Sequence, residues 1–226
     1  ELVEKHVNIN RLLELTKPVA TAVVPISAGR HTYKREPSFP IAVACDPAFN
    51  FVYEANIRYL HHLGEVTYFS PLADTSLPDA GFVYLPGGYP ELYLAALSAN
   101  RQMLQSIRRY VESGGKLLAE CGGMMYLCDE IRDKNGYVYP MAGVLHQSAT
   151  MENMKLRLGY RTLLYNETRL KGHEFHYSRL VEQQNPLPSC AVAYTAKGVE
   201  TDTPLYHYRN VWAGYTHLYW ADPVGN

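Results

Sequence analysis

The sequence predicts an α/β domain whose mostly parallel sheet carries helices on both faces. From residue 41 onward, short apolar runs alternate with longer segments that have helical apolar spacing. Strands and helices that alternate in this way form right-handed βαβ units, which place the strands parallel. Hydrophobic residues make up 47% and charged residues 19% of the 226-residue chain, a balance typical of one sizeable core. These observations favour a flavodoxin-like architecture.

The predicted elements follow one another closely as far as residue 127. Strands are expected at Ile41–Ala44, Val66–Phe69 and Phe82–Leu85, with a fourth from Lys116, and helices at Val52–Leu63, Leu92–Leu97 and Met103–Val111. Ligands of parallel sheets bind at the carboxyl ends of the strands. Gly87-Gly88 and Cys121 follow the third and fourth predicted strands, so both are expected at that edge.

Beyond Tyr137 the pattern changes to short, tyrosine-rich strands separated by turn residues. These strands are predicted at Gly143–Leu145, Leu158–Leu164, His173–Tyr177, Ala191–Thr195 and Val211–Tyr215. The sequence shows no internal repeat and no low-complexity tract, so we predict one continuous domain over residues 41–226.

The first forty residues are predicted to belong to a preceding domain. Asn8 or Asn10 is able to cap a short leucine-rich helix. Residues 17–40 contain four prolines among scattered polar residues, which is typical of a linker or a wrapping arm. The predicted boundary therefore separates residues 1–40 from residues 41–226.

Charge and cysteine spacing argue against several classes of function. The net charge of -1 suggests neither a nucleic acid nor an anionic membrane as a partner. No apolar run approaches the roughly 18 residues of a membrane span, and no signal-peptide pattern opens the sequence. The four cysteines have no CxxC spacing, so neither a zinc site nor a disulfide framework is indicated. A cytoplasmic location fits best.

The main candidate for chemistry is Cys121, in the stretch KLLAECGGMMYL. A strand leads into the cysteine and a glycine pair opens a helical segment, as in a nucleophile elbow, where positions minus two and plus two must be small. Ala119 and Gly123 meet that requirement. A thiol at a helix N-terminus has a lowered pKa, so we predict an activated nucleophile. The alternative is a buried structural cysteine at a strand end.

A cysteine nucleophile needs a base, and His217 is the candidate among nine histidines. It follows the last predicted strand in GYTHLYW, and we expect it in a turn beside Gly214. A base presented from the last loop to an elbow in mid-chain is a common α/β arrangement. The alternative is a histidine packed among aromatic side chains.

His173 and His176, in GHEFHYS, are three residues apart and raise the question of a metal site. The alternation with Phe175 and Tyr177 indicates a strand, on which the two rings would point to opposite faces. With only two candidate ligands, no metal is predicted.

An oxyanion hole is the third part that acyl transfer requires. The amide of Gly122 is one candidate donor. Gly87-Gly88 is able to supply the other, because glycine lets the backbone approach a substrate closely. We expect Gly87, Gly88 and Tyr89 to contact the substrate. The alternative for the two glycines is a simple turn.

Several motifs in one order resemble a known family. They are PGGYPE (Pro86–Glu91), AECGGMMYL (Ala119–Leu127), GHEFHYS (Gly172–Ser178) and the histidine of THLYW, and CDPAFNFVYEANI (Cys45–Ile57) adds to them. They are similar to the glutamine amidotransferase domain of the cobyrinic acid a,c-diamide synthase family over about residues 41–222. The resemblance implies a class I glutamine amidotransferase-like fold. It also implies that residues 1–16 are the last helix of an ATP-dependent synthetase domain.

The resemblance implies a glutaminase. Cys121 would attack the carboxamide of glutamine, giving a γ-glutamyl thioester and ammonia, and His217 would move the protons. The amides of Gly88 and Gly122 would hold the oxyanion. Ammonia would pass to the N-terminal synthetase domain, where ATP and magnesium activate carboxylates of a corrinoid. The part of the protein given by this sequence is expected to bind no cofactor.

One departure concerns the residue that orients the histidine. Many class I glutamine amidotransferases carry a glutamate two residues after the histidine, but this sequence has Tyr219 at that position. The resembled cobalamin branch also lacks this glutamate, so its absence agrees with the resemblance. Glu174 is a candidate orienter, although a surface or interface charge is the favoured interpretation.

Three other functions stay open from the sequence. They are the glutaminase domain of a related tetrapyrrole a,c-diamide synthase, a stand-alone thiol γ-glutamyl hydrolase, and a non-catalytic flavodoxin-like interaction module in which Cys121 is a redox sensor. The appended N-terminal segment argues against the stand-alone hydrolase, which would not need part of another domain.

Overall fold

The computed structural model describes residues 8, 11, 39–184 and 186–220. The chain divides into two units, Glu1–Glu36 and Pro37–Asn226. In the first unit, Asn8 Oδ1 accepts a hydrogen bond from the Arg11 N–H at 3.0 Å, the geometry of a helix cap. The rest of the predicted leucine-rich helix, and nearly all of the predicted linker, lie outside the described residues.

The elements of the second unit are numbered in chain order. The strands are β1 (Phe39–Ala44), β2 (Gly64–Phe69), β3 (Phe82–Leu85), β4 (Lys116–Glu120), β5 (Glu130–Arg132), β6 (Val138–Pro140), β7 (Ser148–Thr150), β8 (Arg157–Tyr165), β9 (Thr168–His176), β10 (Arg179–Leu180), β11 (Val192–Thr195), β12 (Glu200–Thr201), β13 (Leu205–Tyr208), β14 (Val211–Gly214) and β15 (His217–Leu218). The α-helices are α1 (Glu54–Leu63), α2 (Leu94–Ala99), α3 (Arg101–Glu112) and α4 (Gly122–Leu127), and a 3-10 turn covers Pro90–Leu92.

The central sheet has six strands in the order β13-β14-β4-β3-β1-β2. All neighbours pair in parallel except β13 and β14, which form an antiparallel pair at one edge. The predicted mostly parallel sheet is therefore confirmed. Leu85 of β3 lies opposite Ala119 of β4, so the loops that follow these two strands leave the same edge side by side.

Helices cover both faces of this sheet, because its strands are apolar on both sides. Ile41 and Val43 of β1 pack with Leu60 of α1 on one face. Ala42 and Ala44 belong to the larger core on the other face, together with residues of α2, α3 and α4, which include Leu97, Met103, Ile107 and Met124. Alternate residues of one strand thus enter different cores, as the two-residue period of a strand requires.

Helix α3 shows why these segments are helical. Its buried residues Met103, Leu104, Ile107 and Val111 recur at spacings of one turn and form one apolar stripe. Asn100 caps the helix, since its side chain accepts a hydrogen bond from the Met103 N–H at 3.4 Å.

A second sheet follows the order β12-β11-β8-β9-β15, and its neighbours pair antiparallel. Its longest part is the β8–β9 hairpin. Asn166 and Glu167 form the two-residue loop with φ angles of 45° and 66°, which suit a type I′ turn. A third sheet has the order β10-β7-β5-β6.

The predicted strand at Gly143–Leu145 is wrong, because this segment caps helix α4. Gly143 N–H donates to the Cys128 carbonyl at 2.8 Å, and the N–H groups of Val144 and Leu145 donate to the Leu127 carbonyl. The carbonyls at the end of a helix lack partners within the helix, so this apolar segment follows the helix end and does not join a sheet. Among the residues placed by the structure, no helix has the length and apolar character needed to cross a membrane.

Candidate active site

Cys121 occupies a strained turn between β4 and α4. Its φ and ψ angles are 48° and -106°, in a region that residues other than glycine seldom adopt. The surroundings hold this conformation: the Cys121 N–H donates to the Gly214 carbonyl at 2.7 Å, and its carbonyl accepts from the Met125 N–H at 3.0 Å. The strand–turn–helix geometry of the predicted elbow is therefore present.

The glycines around the elbow are required by close backbone contacts. A Cβ atom on Gly123 would lie 2.2 Å from the Leu85 carbonyl oxygen, at the end of the neighbouring strand β3. A Cβ atom on Gly122 would lie 2.7 Å from Pro90 Cδ and 3.1 Å from the Gly88 oxygen. The start of α4 thus packs directly on the backbone of the double-glycine loop.

The double-glycine loop also contacts His217. A Cβ atom on Gly87 would lie 2.1 Å from Cε1 of the His217 ring, and one on Gly88 would lie 2.1 Å from the Ala48 oxygen. Gly87 accepts a hydrogen bond from the Phe51 N–H at 3.0 Å. The loop therefore has the elbow on one side and the imidazole on the other, a more constrained position than a surface turn needs.

His217 lies on strand β15, and the prediction of a turn at this residue is wrong. It pairs with His173 of β9, so the second sheet brings it to the carboxyl edge of the first. The residue is 3% exposed, and its ring centroid lies 4.3 Å from that of Phe51 and 6.3 Å from that of His173. Within the described part of the chain, its Nδ1 has no hydrogen-bond partner.

The environment of His217 keeps its ring neutral. Burial, and then the nearby rings of His173 and His176, lower its pKa to about 3. A neutral imidazole is the form that accepts a proton. Within the residues that the structure places, no hydrogen bond joins this ring to Cys121.

The prediction of a lowered pKa at Cys121 is wrong. Burial, followed by the negative charge of Glu91, raises the pKa of the thiol to about 12, although the N–H of Gly122 acts in the opposite direction. The residue is 5% exposed, so its thiolate would lose most of its hydration. Helix α4 has only six residues, and its dipole does not compensate for this loss.

A narrow cavity of about 20 Å³ lies in front of the thiol. Gly88, Tyr89, Glu91 and Tyr177 are among its lining residues, and the sulfur of Cys121 lies 3.9 Å from the Phe175 oxygen. A space of this volume holds about one water molecule, so an amino acid enters only if rim side chains move. Tyr89 and Tyr177 are partly exposed and stand at this rim.

A larger cavity of about 500 Å³ lies beside β15, and its wall is mainly aromatic. Phe51 and His173 line it and also contact the ring of His217. His217 itself is not among the lining residues of either cavity within the described chain. Its ring is thus separated from open solvent by its neighbours.

Glu174 is buried, and the favoured interpretation as a surface charge is wrong. It is 1% exposed and accepts hydrogen bonds from Thr203 Oγ1 and His176 Nε2, both at 2.9 Å, and it forms an ion pair with Arg161. Burial opposes its ionisation, but these hydrogen bonds and the charge of Arg161 lower its pKa below the ordinary value. Glu174 therefore orients His176 and makes no hydrogen bond to His217.

His176 also lines the cavity in front of Cys121, but both of its ring nitrogens are engaged elsewhere. Its Nε2 faces the Glu174 carboxylate and its Nδ1 faces the Ser178 carbonyl at 2.7 Å. Both ring nitrogens are therefore engaged by these two oxygens. The same bonds leave no nitrogen for a metal, and among the described residues no group of three or more His, Cys, Asp or Glu side chains is arranged to hold one.

Sequence reasoning missed two buried polar residues near the site. Glu120, one residue before Cys121, is 2% exposed, and burial raises its pKa to about 8. Asn56 of α1 is fully buried. The sequence did contain a signal for Glu120, because a carboxylate at the end of the apolar run KLLAE is expected to be buried with that strand.

The structure thus brings Cys121, Gly88 and Tyr89 together at one cavity. It packs Gly122 on Gly88 and places His217 against Gly87. The catalytic and substrate-binding roles of these residues stay predictions. A strained cysteine at the carboxyl edge of a parallel sheet, beside a double-glycine loop, defines an α/β protein of the nucleophile-elbow class.

Comparison with known families makes this class specific. Residues 40–224 match the family model described as the CobB/CobQ-like glutamine amidotransferase domain, and the chain therefore belongs to that family. The resemblance drawn from its motifs is confirmed.

Curated relatives carry consistent names. The chain is 33% identical over 228 residues to a cobyrinate a,c-diamide synthase of Leptospira interrogans, and the aligned region covers 96% of this chain and 50% of that protein. It is 40% identical over 185 residues to a hydrogenobyrinate a,c-diamide synthase of Pseudomonas aeruginosa, and the aligned region covers 79% of this chain and 41% of that protein. The chain spans about half the length of the curated relatives it matches.

Solved structures support the fold. The structure of PurLQS from Thermotoga maritima matches with a TM-score of 0.54 and 18% identity, over 80% of this chain and 87% of that one. A glutamine amidotransferase from the same organism matches with a TM-score of 0.53 and 13% identity, over 80% of this chain and 76% of that one. At these identities the likeness concerns the fold alone, and it confirms the predicted class I glutamine amidotransferase-like fold.

Proposed function

We propose that this chain is the glutaminase domain of a cobyrinate a,c-diamide synthase, an ATP-dependent amide ligase of cobalamin biosynthesis. The observation that carries the proposal is the position of Cys121, in a strained elbow whose following glycine packs on the double-glycine loop. Family membership and the names of the relatives support the same reading.

In the proposed reaction, Cys121 attacks the carboxamide carbon of glutamine. The thiol proton goes to His217 and then to the leaving nitrogen, so that ammonia departs and a γ-glutamyl thioester remains. Water, deprotonated by His217, then attacks the thioester, and glutamate and the free thiol are released. The sum is glutamine and water giving glutamate and ammonia.

The amides of Gly88 and Gly122 are the proposed donors to the oxyanion of both tetrahedral intermediates. Two observations support this role: the Gly122 N–H interacts with the thiol, and Gly88 lines the cavity in front of the sulfur and packs on Gly122. Burial lowers the pKa of His217 to about 3, so the ring is unprotonated at neutral pH and free to accept a proton, but in the resting site it is a weak base.

Ammonia is proposed to pass to an N-terminal synthetase domain of which residues 1–40 are the last part. There ATP and magnesium would activate carboxylates of a corrinoid, in the cytoplasm. The names and lengths of the relatives support this partner, since the chain spans only about half of each. A hydrogenobyrinate substrate is the second candidate, supported by the 40% identity to the Pseudomonas aeruginosa protein of that name.

Ammonia release from glutamine by the full protein tests the proposed function. We expect Cys121→Ser to lower the rate by at least about 1,000-fold, and His217→Asn by about 100-fold or more. Cys45→Ser, which changes an exposed cysteine, is the matched control and should retain full activity. Full ammonia release by Cys121→Ser would contradict the proposal.

A further inference from the structure

The orientation of His217 has no side-chain hydrogen bond to explain it. Its Nδ1 is buried without a hydrogen-bond partner among the described residues. Glu174, the candidate orienter, instead contacts His176, Thr203 and Arg161. An imidazole that moves protons must nevertheless be held in one place. Its position must therefore come from the backbone that carries it and from packing.

That backbone is strand β15, which has only two residues and a regular partner strand on one side. His217 lies opposite His173 of β9, and the Tyr219 N–H just beyond the strand donates to the Lys171 carbonyl at 2.9 Å. One short pairing of this kind gives little cooperative stability.

Two side chains replace a partner strand on the other side of β15. The Leu218 N–H donates to Glu120 Oε1 at 3.1 Å, and the Leu218 carbonyl accepts from Asn56 Nδ2 at 2.7 Å. The Trp220 N–H donates to Asn56 Oδ1 at 2.9 Å. Backbone groups of alternate residues point to opposite sides of a strand, so these bonds complete the edge that β9 does not reach.

The two side chains are firmly placed. Glu120 ends β4, and its Oε2 accepts a hydrogen bond from the Tyr84 hydroxyl at 2.7 Å, from the neighbouring strand β3. Asn56 lies in the first turn of α1, and its amide uses both its oxygen and its nitrogen on β15. Buried polar groups destabilise the fold unless they are hydrogen-bonded. Here the buried side chains of Glu120 and Asn56 form their hydrogen bonds with the backbone around His217.

We propose that Glu120 and Asn56 are positioning residues that hold β15 in place and thereby fix the His217 imidazole against Gly87. Glu120 directly precedes Cys121, and its side chain accepts a hydrogen bond from Leu218, which directly follows His217. One side chain thus connects the backbone at the proposed nucleophile with the backbone at the proposed base. This inference rests on the proposed glutaminase function and adds to it the element that orients the histidine where no triad carboxylate does.

The role is that of a hydrogen-bond acceptor and not of a charge. Glu120→Gln keeps an oxygen for the Leu218 N–H, and its new amide N–H₂ is able to donate to the Tyr84 hydroxyl oxygen. Glu120→Ala and Asn56→Ala remove the bonds to β15. Glu54→Ala changes an exposed side chain of the same helix as Asn56 and leaves the bonds to β15 in place, which makes it the matched control.

The test measures glutamine hydrolysis by the full protein and hydrogen exchange at the Leu218 and Trp220 amides. We expect Glu120→Ala and Asn56→Ala to lower kcat by about 10- to 100-fold with KM within about twofold, since misplacement of a catalytic group by 1 Å costs this much. Glu120→Gln should stay within about threefold of the wild type. Exchange should quicken at Leu218 in Glu120→Ala and at Trp220 in Asn56→Ala, and it should stay slow at both amides in Glu54→Ala.

Several outcomes would overturn the inference. One is an unchanged kcat in both alanine variants, whatever happens to exchange. Another is a Glu120→Gln protein as inactive as Glu120→Ala, because the charge would then be the working feature. If Glu120→Ala does not fold, Asn56→Ala tests the same edge. A wild type that releases no ammonia contradicts the proposed function. Unchanged exchange at Leu218 in Glu120→Ala and at Trp220 in Asn56→Ala then overturns the positioning role separately.

Discussion

At Cys121, burial and a neighbouring carboxylate both act against ionisation of the thiol. Its pKa is raised to about 12, with burial as the largest cause and Glu91 as the next. A cysteine with this pKa is almost entirely protonated at pH 7, and the thiolate is the nucleophile. The resting site therefore holds a neutral thiol and, at His217, a neutral imidazole.

Removal of the Glu91 charge should make Cys121 easier to ionise. We expect Glu91→Gln to move the pKa of Cys121 downward, because the thiolate no longer faces a negative charge beside the same cavity. The measurement is the rate of Cys121 alkylation by iodoacetamide as a function of pH, followed by peptide mass spectrometry. The rising part of that profile should shift to lower pH.

Glu54→Gln, which changes an exposed carboxylate of α1, is the control for the general effect of lost charge. Its profile should match the wild type. A profile that shifts to higher pH in Glu91→Gln, or does not move, would show that Glu91 does not act on the thiol.

At the scale of an element, β9 carries a buried charge network into the wall of the cavity. Glu174 accepts hydrogen bonds from His176 and Thr203 and pairs with Arg161 of β8. Its lowered pKa means that the folded state favours the carboxylate. The stability that this ionisation provides is therefore present above the ordinary value near 4.5 and is lost as pH falls through the lower folded value.

Glu174→Gln should destabilise the domain in a pH-dependent way. At pH 7 the change leaves Arg161 and His176 without their carboxylate, and we expect a loss of about 3–5 kcal/mol in the free energy of unfolding. The difference from the wild type should shrink as pH falls below the folded pKa, because Glu174 is then protonated in the wild type too. Urea unfolding at a series of pH values measures both effects.

Glu167→Gln, in the exposed turn of the same hairpin, is the matched control and should change stability by less than about 0.5 kcal/mol. An equal loss for Glu174→Gln at all pH values would mean that the network acts through packing and not through charge.

At the scale of the whole molecule, the resting site is closed to its proposed substrate. The cavity in front of the thiol measures about 20 Å³, and the chain spans about half the length of its relatives. Opening of such a site by a second domain is a common way to link two reactions in one enzyme.

We therefore expect the chain joined to the proposed synthetase domain to hydrolyse glutamine about tenfold faster or more than the 226-residue chain alone. Steady-state ammonia release by the two proteins measures the difference, with Cys121→Ser in each as the background. Equal rates would argue against coupling between the domains while leaving the glutaminase itself in place.

Much of the fold followed from local pattern. The predicted strand Phe82–Leu85 coincides with β3, and the helix predicted at Met103–Val111 differs from α3 by two residues at its start and by one at its end. The apolar residues of these segments recur at a spacing that fits one type of secondary structure and not the other. Gly143–Leu145 failed because an apolar segment that caps a helix has the same composition as a short buried strand.

The sequence by itself determined the order of the elements as far as residue 127, the elbow at Cys121 and the family, because each depends on neighbouring residues. Only the tertiary structure decided the pKa of the thiol, the burial of Glu174 and the anchoring of His217. These depend on groups far apart in the chain: Leu218 bonds to Glu120 across 98 residues and to Asn56 across 162. Desolvation and long-range hydrogen bonds exist only once the two sheets are packed, so no local pattern encodes them.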